Sequence, residues 1–337
     1  MKRAALLATV VAALGGCSPS NEISGFEAFR RMSDTEAHLP VEVREVNEVV
    51  ESGHPVLTMG RRIQKGPVRW RYDVLAGDRM NPRLGMASRG RWDDYAWSYR
   101  PEHRLLEISR VPPDNLGPGN QMDLLMRNYV ITRQGLDQVS GRRAYRVDVR
   151  PRRPGRPTQR VWIDAQSFVR LRLEQWNADG RLVSVTQTVD LPKRITLNDK
   201  AIAGPLGNGV SSLRPPSANA NGTQAPRRPA ATSFVPARIG YLPAGFAVVR
   251  AYFVSSPVRD GGTLHWYLTD GGAGIVVMQT RQNLDALGNL RAAGDVRGPF
   301  AVAGHDGYHF WARGNVSRSE LVRIVAGMSV RPISEAR

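Results

Sequence analysis

Between Ala144 and Asp190 apolar and polar residues alternate one by one through several short runs, the period-two signature of half-buried strands. Tyr145, Val147 and Val149 fall on one face of the first run, and Arg146, Asp148 and Arg150 on the other. A basic, proline-broken connection follows, from Pro151 to Pro157, and then a second run, Arg160–Ile163. Val169, Leu171 and Leu173 alternate with Arg170, Arg172 and Glu174; Asn177-Ala178-Asp179-Gly180 supplies turn residues before a last run, Leu182–Val189. Short loops between such runs pair neighbouring strands antiparallel. One face apolar and one rich in arginine predicts a sheet wet on one side.

The same pattern extends in both directions. Glu22–Glu36 reads as a helix, with Ser24 as its cap and Phe26, Phe29 and Met32 as an apolar stripe. Strands are predicted at Val41–Val50, from Val68, where Trp70, Tyr72 and Val74 alternate with Arg69, Arg71 and Asp73, at Tyr95, Trp97 and Tyr99, and at Arg104–Ser109. A short helix, Gln121–Asn128, precedes the strand beginning at Tyr129. Asn198–Ser233 is rich in Gly, Pro, Ala, Asn and Ser, a composition that buries too little apolar surface to offset its ordering entropy. Beyond it come strands at Ala247–Val254, Thr263–Thr269, Gly274–Thr280 and around Tyr308–Ala312. The closing helix, Ser317–Met328, has Ser317 or Ser319 as cap and Leu321, Ile324 and Val325 as its stripe. The expected fold class is therefore α+β, mainly antiparallel β, in two domains: a first at 17–197, a linker at 198–233 and a smaller α+β domain at 234–332.

The first sixteen residues change the cellular context. Lys2 and Arg3 precede the uncharged run Ala4–Gly16, which is too short for a membrane span but fits a signal sequence. It ends in Leu14-Gly15-Gly16-Cys17, which is similar to a bacterial lipobox, with residues 1–16 as the leader and Cys17 as the lipidated residue. Cys17 is the only cysteine, so no internal disulfide forms, and lipidation explains an unpaired thiol in an exported chain. The reading is an exported, periplasmic or extracytoplasmic, membrane-anchored lipoprotein.

Net charge is +17, nearly all of the basic residues being arginine. Arg142, Arg143, Arg146, Arg150, Arg152, Arg153, Arg156 and Arg160 are candidates for an anion-facing surface; arginine on solvated strand faces is also a plain compositional bias. No nucleic-acid motif accompanies the charge. Among the histidines, His305 and His309 have a metal-like spacing, but Asp306-Gly307 between them reads as a turn. Asp93-Asp94 are adjacent, so on a strand they would point to opposite faces. No catalytic constellation, metal site or cofactor is predicted.

Two segments carry a family resemblance. DDYAWSYRPEHRLLEI looks like a hairpin of the lipoprotein-carrier superfamily. Gly141-Arg142-Arg143-Ala144-Tyr145, then Pro151-Arg152, then Val161-Trp162-Ile163-Asp164, resembles the amino-terminal domain of the MucB/RseB family. In the second domain, Leu242-Pro243-Ala244-Gly245-Phe246 and Thr269-Asp270-Gly271-Gly272 resemble that family's smaller carboxy-terminal domain. The resemblance implies a LolA-like open half-barrel sheet with covering helices, and a regulator that binds a membrane-anchored anti-sigma protein and senses an acyl chain or lipid. Trp70, Tyr72, Tyr95, Trp97, Tyr99, Val161, Ile163, Leu171 and Leu173 are candidates for its apolar ligand cavity. Aromatic alternation occurs in any half-buried sheet, so a filled core is the plainer reading of the same residues. A lipid or lipoprotein carrier and an envelope scaffold are the alternatives.

Overall fold

The computed structural model describes residues 23–51, 54–77, 88–93, 95–100, 105–110, 118–191, 199–203, 234–254, 263–281 and 299–330. The expected leader, Cys17 and the linker from residue 204 onward lie outside the described residues.

Helix α1 (Gly25–His38) opens the chain, with Ser24 accepting the Glu27 N–H at 3.1 Å. Six strands follow: β1 (Pro40–Glu51), β2 (His54–Lys65), β3 (Arg69–Gly77), β4 (Ser88–Trp92), β5 (Tyr95–Arg100) and β6 (Leu105–Arg110). Helix α2 (Pro118–Asn128) leads into β7 (Tyr129–Val139), β8 (Arg142–Pro151), β9 (Thr158–Asp164), β10 (Arg170–Trp176) and β11 (Leu182–Asp190). All eleven form one sheet in the order β6-β5-β4-β3-β2-β1-β11-β10-β9-β8-β7, and every neighbouring pair is antiparallel. The two hairpin series join where β1 meets β11.

Helix α1 lies across this sheet rather than along a strand. Its first turn touches β7 so closely that a Cβ on Gly25 would stand 2.3 Å from the Arg133 backbone nitrogen. Its last turn reaches β2, where the Gln64 side-chain amide donates to the Glu36 carbonyl at 2.8 Å. Fourteen residues of helix span about 21 Å, whereas β2 and β7 stand six strand spacings apart, about 29 Å in a flat sheet. The sheet therefore curls around the helix, as an open half-barrel must. Ala28 and Met32 pack with Val147, Val161 and Ile163 at the centre of this contact.

A short helix, α3 (Asp199–Ala203), covers the opposite face near β2, β3 and β4, with Ile202 and Ala203 fully buried. The sequence places this segment in the linker. Five residues of unremarkable composition carry no periodicity, and only the apolar surface of Ile63 and Trp97, buried on that face, gives Ile202 something to cover.

The second domain is a five-stranded antiparallel sheet in the order β13-β14-β15-β17-β16. Its strands are β13 (Ala247–Val254), β14 (Thr263–Thr269), β15 (Gly274–Thr280), β16 (Phe300–His305) and β17 (Tyr308–Gly314). A two-stranded ribbon, β12 (Arg238–Ile239) with β18 (Met328–Ser329), closes it. Helix α4 (Arg318–Ala326) starts at Ser317, whose hydroxyl accepts the Glu320 N–H, and buries Leu321, Ile324 and Val325 against Trp266, Leu268, Ile275, Val277 and Phe310. Strand alternation turns His265, Tyr267, Val276, Met278, Trp311 and Arg313 to the other side of this sheet. Among the described residues no helix is long and apolar enough to cross a membrane.

Candidate functional site: the seam between the domains

The two domains meet twice, once in a closed junction and once in an open cleft. The junction is built on the Thr269–Ala273 turn. Asp270 is fully buried; its Oδ1 accepts the Gly272 N–H at 3.0 Å and the Ala273 N–H at 2.6 Å, which fixes the turn. Oδ2 lies 3.2 Å from Nε of Arg156, a buried side chain of the β8–β9 connection. The Tyr129 hydroxyl donates to the same carboxylate at 3.2 Å. Burial, with the charge of Asp270 second, pushes the Tyr129 phenol far above its ordinary range, so it remains a donor. The Asn128 amide donates to the carbonyls of Gly245 and Asp270 at 3.1 and 3.0 Å. Arg156 also lies over the Phe246 ring, 4.8 Å from its centroid.

The glycines of this junction are sites of close approach. Gly271 has φ of +96°, and a Cβ there would lie 2.3 Å from the Leu125 backbone nitrogen. A Cβ on Gly245, at φ of +87°, would lie 2.1 Å from Asn128 Oδ1. Both belong to the motifs that carried the resemblance in the second domain. Their chemistry is docking: a turn narrow enough to reach α2 and β7, and a carboxylate that finds an arginine on arrival.

The cleft has a volume of about 930 Å³. Its first wall is the α1-bearing face of the sheet, beyond the helix: Glu45, Asn47, Val49, Arg62, Trp70, Tyr72, Arg89, Ser184 and Thr186. Its second wall is the outward face of the small sheet, with His265, Tyr267, Val276, Met278, Trp311 and Arg313. The polar floor is ordered. The Thr186 hydroxyl donates to Asn47 Oδ1 at 2.7 Å, and the Asn47 amide donates to the Tyr72 hydroxyl at 2.6 Å. Arg62 pairs with buried Glu45 at 3.3 Å. Burial, then the charge of Glu45, pushes the Tyr72 hydroxyl up to about 12. The ring of Tyr72 lies directly over Gly60, where a Cβ would stand 2.1 Å from its hydroxyl oxygen. On the second wall, burial holds His265 below its ordinary value, and it stacks on Tyr252 with centroids 5.2 Å apart. The cleft thus offers apolar walls with arginine at intervals, a lining suited to an amphipathic ligand or peptide.

The residues expected to line one apolar cavity divide among several places. Trp70 and Tyr72 line the cleft. The register Tyr72↔Arg89, Arg71↔Gly90 and Gly90↔Trp97 puts Tyr95, Trp97 and Tyr99 on the opposite face of the sheet. Val161, Ile163 and Leu173 pack beneath α1, and Leu171 packs with Trp162 and Ala144. Period two assigns faces within a strand but not between strands, and that is where the grouping failed.

The arginines expected to form an anion-facing surface are mostly engaged with carboxylates. Arg142 bonds Asp164, Arg146 pairs with Asp137 at 3.2 Å, and Arg150 and Arg160 share Asp148 at 2.8 and 2.7 Å. Arg156 is the correction of most consequence, because it is the buried clamp of the junction. A Pro-Gly-Arg-Pro loop reads as surface, and its cover comes from a domain more than a hundred residues onward. Arg143, Arg152 and Arg153 remain exposed. Asp93 is engaged by Arg69 at 2.9 Å. The pairings Gly304↔His309 and His305↔Tyr308 put the two histidines on opposite faces, and the described residues contain no cluster of metal-binding side chains.

Comparison with known proteins finds a likeness in the first domain. Residues 98–204 match the family model of the MucB/RseB N-terminal domain. This part of the chain is similar to that domain. The match runs from β5 through α3, so it takes in the buried helix that composition had assigned to the linker. Beyond these residues, the likeness is one of fold. A chain from the complex of Pseudomonas aeruginosa MucA/MucB superposes with a TM-score of 0.60 at 17% identity, over 91% of this chain and 99% of that one. MucB in complex with MucA(peri) gives 0.53 at 15% identity, over 90% and 98%. MucB alone gives 0.52 at 15%, over 90% and 97%. No curated protein sequence matches the chain.

Proposed function

We propose that this protein is an extracytoplasmic, lipid-anchored regulator that binds the extracytoplasmic segment of a membrane-anchored anti-sigma protein and shields it from proteolysis. The observation that carries the reading is the extent of the likeness. It covers 91% of the chain, hence both domains, on a structure described as a MucA/MucB complex. The cleft between the domains is the docking site in this reading. Its apolar walls take apolar side chains of an extended segment, and Arg89 and Arg313 meet that segment's acidic groups. An acyl chain or lipid competing for the same cleft releases the partner. Such release requires the ligand to favour the partner-free state, since equal affinity for both states shifts nothing.

In-cell crosslinking followed by purification of the lipidated protein tests this. Recovery of a single-pass anti-sigma protein is the expected result; its absence, with and without added lipid, overturns the proposal. The cleft volume supports a second reading, a lipid or lipoprotein carrier, because about 930 Å³ accommodates an acyl chain. Transfer of labelled lipid between vesicles, with no anti-sigma protein captured, would establish that reading instead.

A further inference from the structure

We propose that the surface around the β7 edge faces the membrane and binds anionic phospholipid headgroups. This rests on the reading that Cys17 is lipidated, and it assigns an orientation which that reading leaves open. Ser24 follows Cys17 by seven residues, a fully extended reach of at most about 25 Å. The point where the tether meets the folded body is fixed: the first residue of α1, Gly25, sits against the backbone of Thr132 and Arg133 on β7. Strand β7 is the last strand of the eleven. Whatever surrounds it is the part of the molecule held nearest the bilayer.

What surrounds it is basic and dotted with apolar groups. Val130 pairs with Arg150 across the edge; Val130 is 39% exposed, and the Arg150 side chain 61%. Arg152 donates its backbone N–H to the Asn128 carbonyl, which sets the exposed Arg152-Arg153 pair beside the end of α2, where Met126 and Arg127 are exposed. Of the nearby carboxylates, Asp148 is buried and engaged by Arg150 and Arg160, Asp137 on β7 pairs with Arg146 and Glu27 on α1 with Arg30 and Arg31, and Asp123 on α2 is exposed. Arginines attract an anionic surface within a Debye length, and exposed methionine and valine between them favour the headgroup boundary. The patch adjoins the closed junction, since Arg153 also reaches Asn128 at 3.5 Å. A membrane-anchored partner would thus meet the domain seam close to its own point of anchorage.

Cys17 is the only native cysteine, so once it is acylated a single introduced thiol can be labelled cleanly. The test places a fluorophore on Val130→Cys or, on the second domain, on Val302→Cys in the lipidated protein. Each is bound to vesicles of phosphatidylglycerol and phosphatidylcholine carrying a quencher at the headgroup. Quenching at 130 but not at 302 is expected; equal quenching at both overturns the orientation. In parallel, the chain from residue 18 onward is partitioned onto the same vesicles without its lipid. R127E/R152E/R153E is expected to lower partitioning by at least about tenfold, while R44E/R181E/R238E, with the same change in charge, leaves it within about twofold. Equal losses in both variants would make the effect one of net charge and overturn the assigned surface. Lipidation is read separately: absence of a diacyl adduct in the mass of the native protein removes the tether and overturns the orientation on that ground.

Discussion

The closed junction and the open cleft are made by the same two domains, yet they use arginine in opposite ways. At the junction Arg156 is buried, paired with Asp270 and laid over Phe246. In the cleft Arg62, Arg89 and Arg313 stand among valine, methionine and tryptophan at the border of an open volume. Composition alone treats these residues as equivalent members of a strongly basic chain. Burial by a distant segment separates them: Arg156 holds the domains together, whereas Arg62 pairs with Glu45 and Arg89 lies over the Tyr72 ring within the first wall of the cleft.

The largest effect expected from breaking this contrast is at the clamp. Arg156→Ala leaves the Asp270 carboxylate buried without its partner, at a cost of about 3–5 kcal/mol, measured by urea unfolding. Replacing both, as Arg156→Met with Asp270→Asn, recovers much of the loss, because the uncompensated charge is gone. Gly271→Ala should come next. A side chain at φ of +96° that also meets the Leu125 backbone costs about 1–3 kcal/mol and opens the junction to limited proteolysis.

Acid separates both regions from the arginine-studded outer face of the large sheet. Burial pushes the Asp148 carboxyl up, but hydrogen bonds from Arg160 and Arg150 outweigh it and hold it below the ordinary range. Asp164 is likewise lowered, burial being outweighed by Arg142 and the N–H groups of Gln166 and Ser167. Both carboxylates are depressed in the folded state, so their contribution is fully present above the unfolded value of about 4. It is lost as pH falls from there through the lower folded values. Thermal unfolding from pH 6 downward should show stability declining below about pH 4, with the decline reduced in Asp148→Asn.

The smallest effect on stability belongs to the cleft. Gly60→Ala displaces the Tyr72 ring, which is the end of a movable side chain, and removes the Asn47 hydrogen bond at about 1 kcal/mol. The junction should be untouched, so domain-resolved hydrogen exchange would show no change at Asp270 while the cleft loses its ligand.

Much of the scaffold was legible in the sequence because it is local. The caps at Ser24 and Ser317, the stripe of α4 and the alternation of β8 through β11 each follow from one or two turns of chain or one strand. What was not legible depends on pairing at a distance. Trp70 and Trp97 carry identical local patterns, and only the register through β3, β4 and β5 shows that they occupy opposite faces. Arg156 sits in a loop whose residue types signal exposure, and α3 has too few residues to announce itself. The cleft was half visible, as Trp70 and Tyr72, because its other wall belongs to a different domain.

The most direct measurement is site-specific photo-crosslinking in cells, with the crosslinker placed at Val276 in the cleft and, as a control, at Val322 on the exposed side of α4. The account predicts that Val276 captures a single-pass anti-sigma protein, that added lipid abolishes the capture, and that Val322 captures none. Equal capture at the two positions, or none at Val276 with or without lipid, would contradict it.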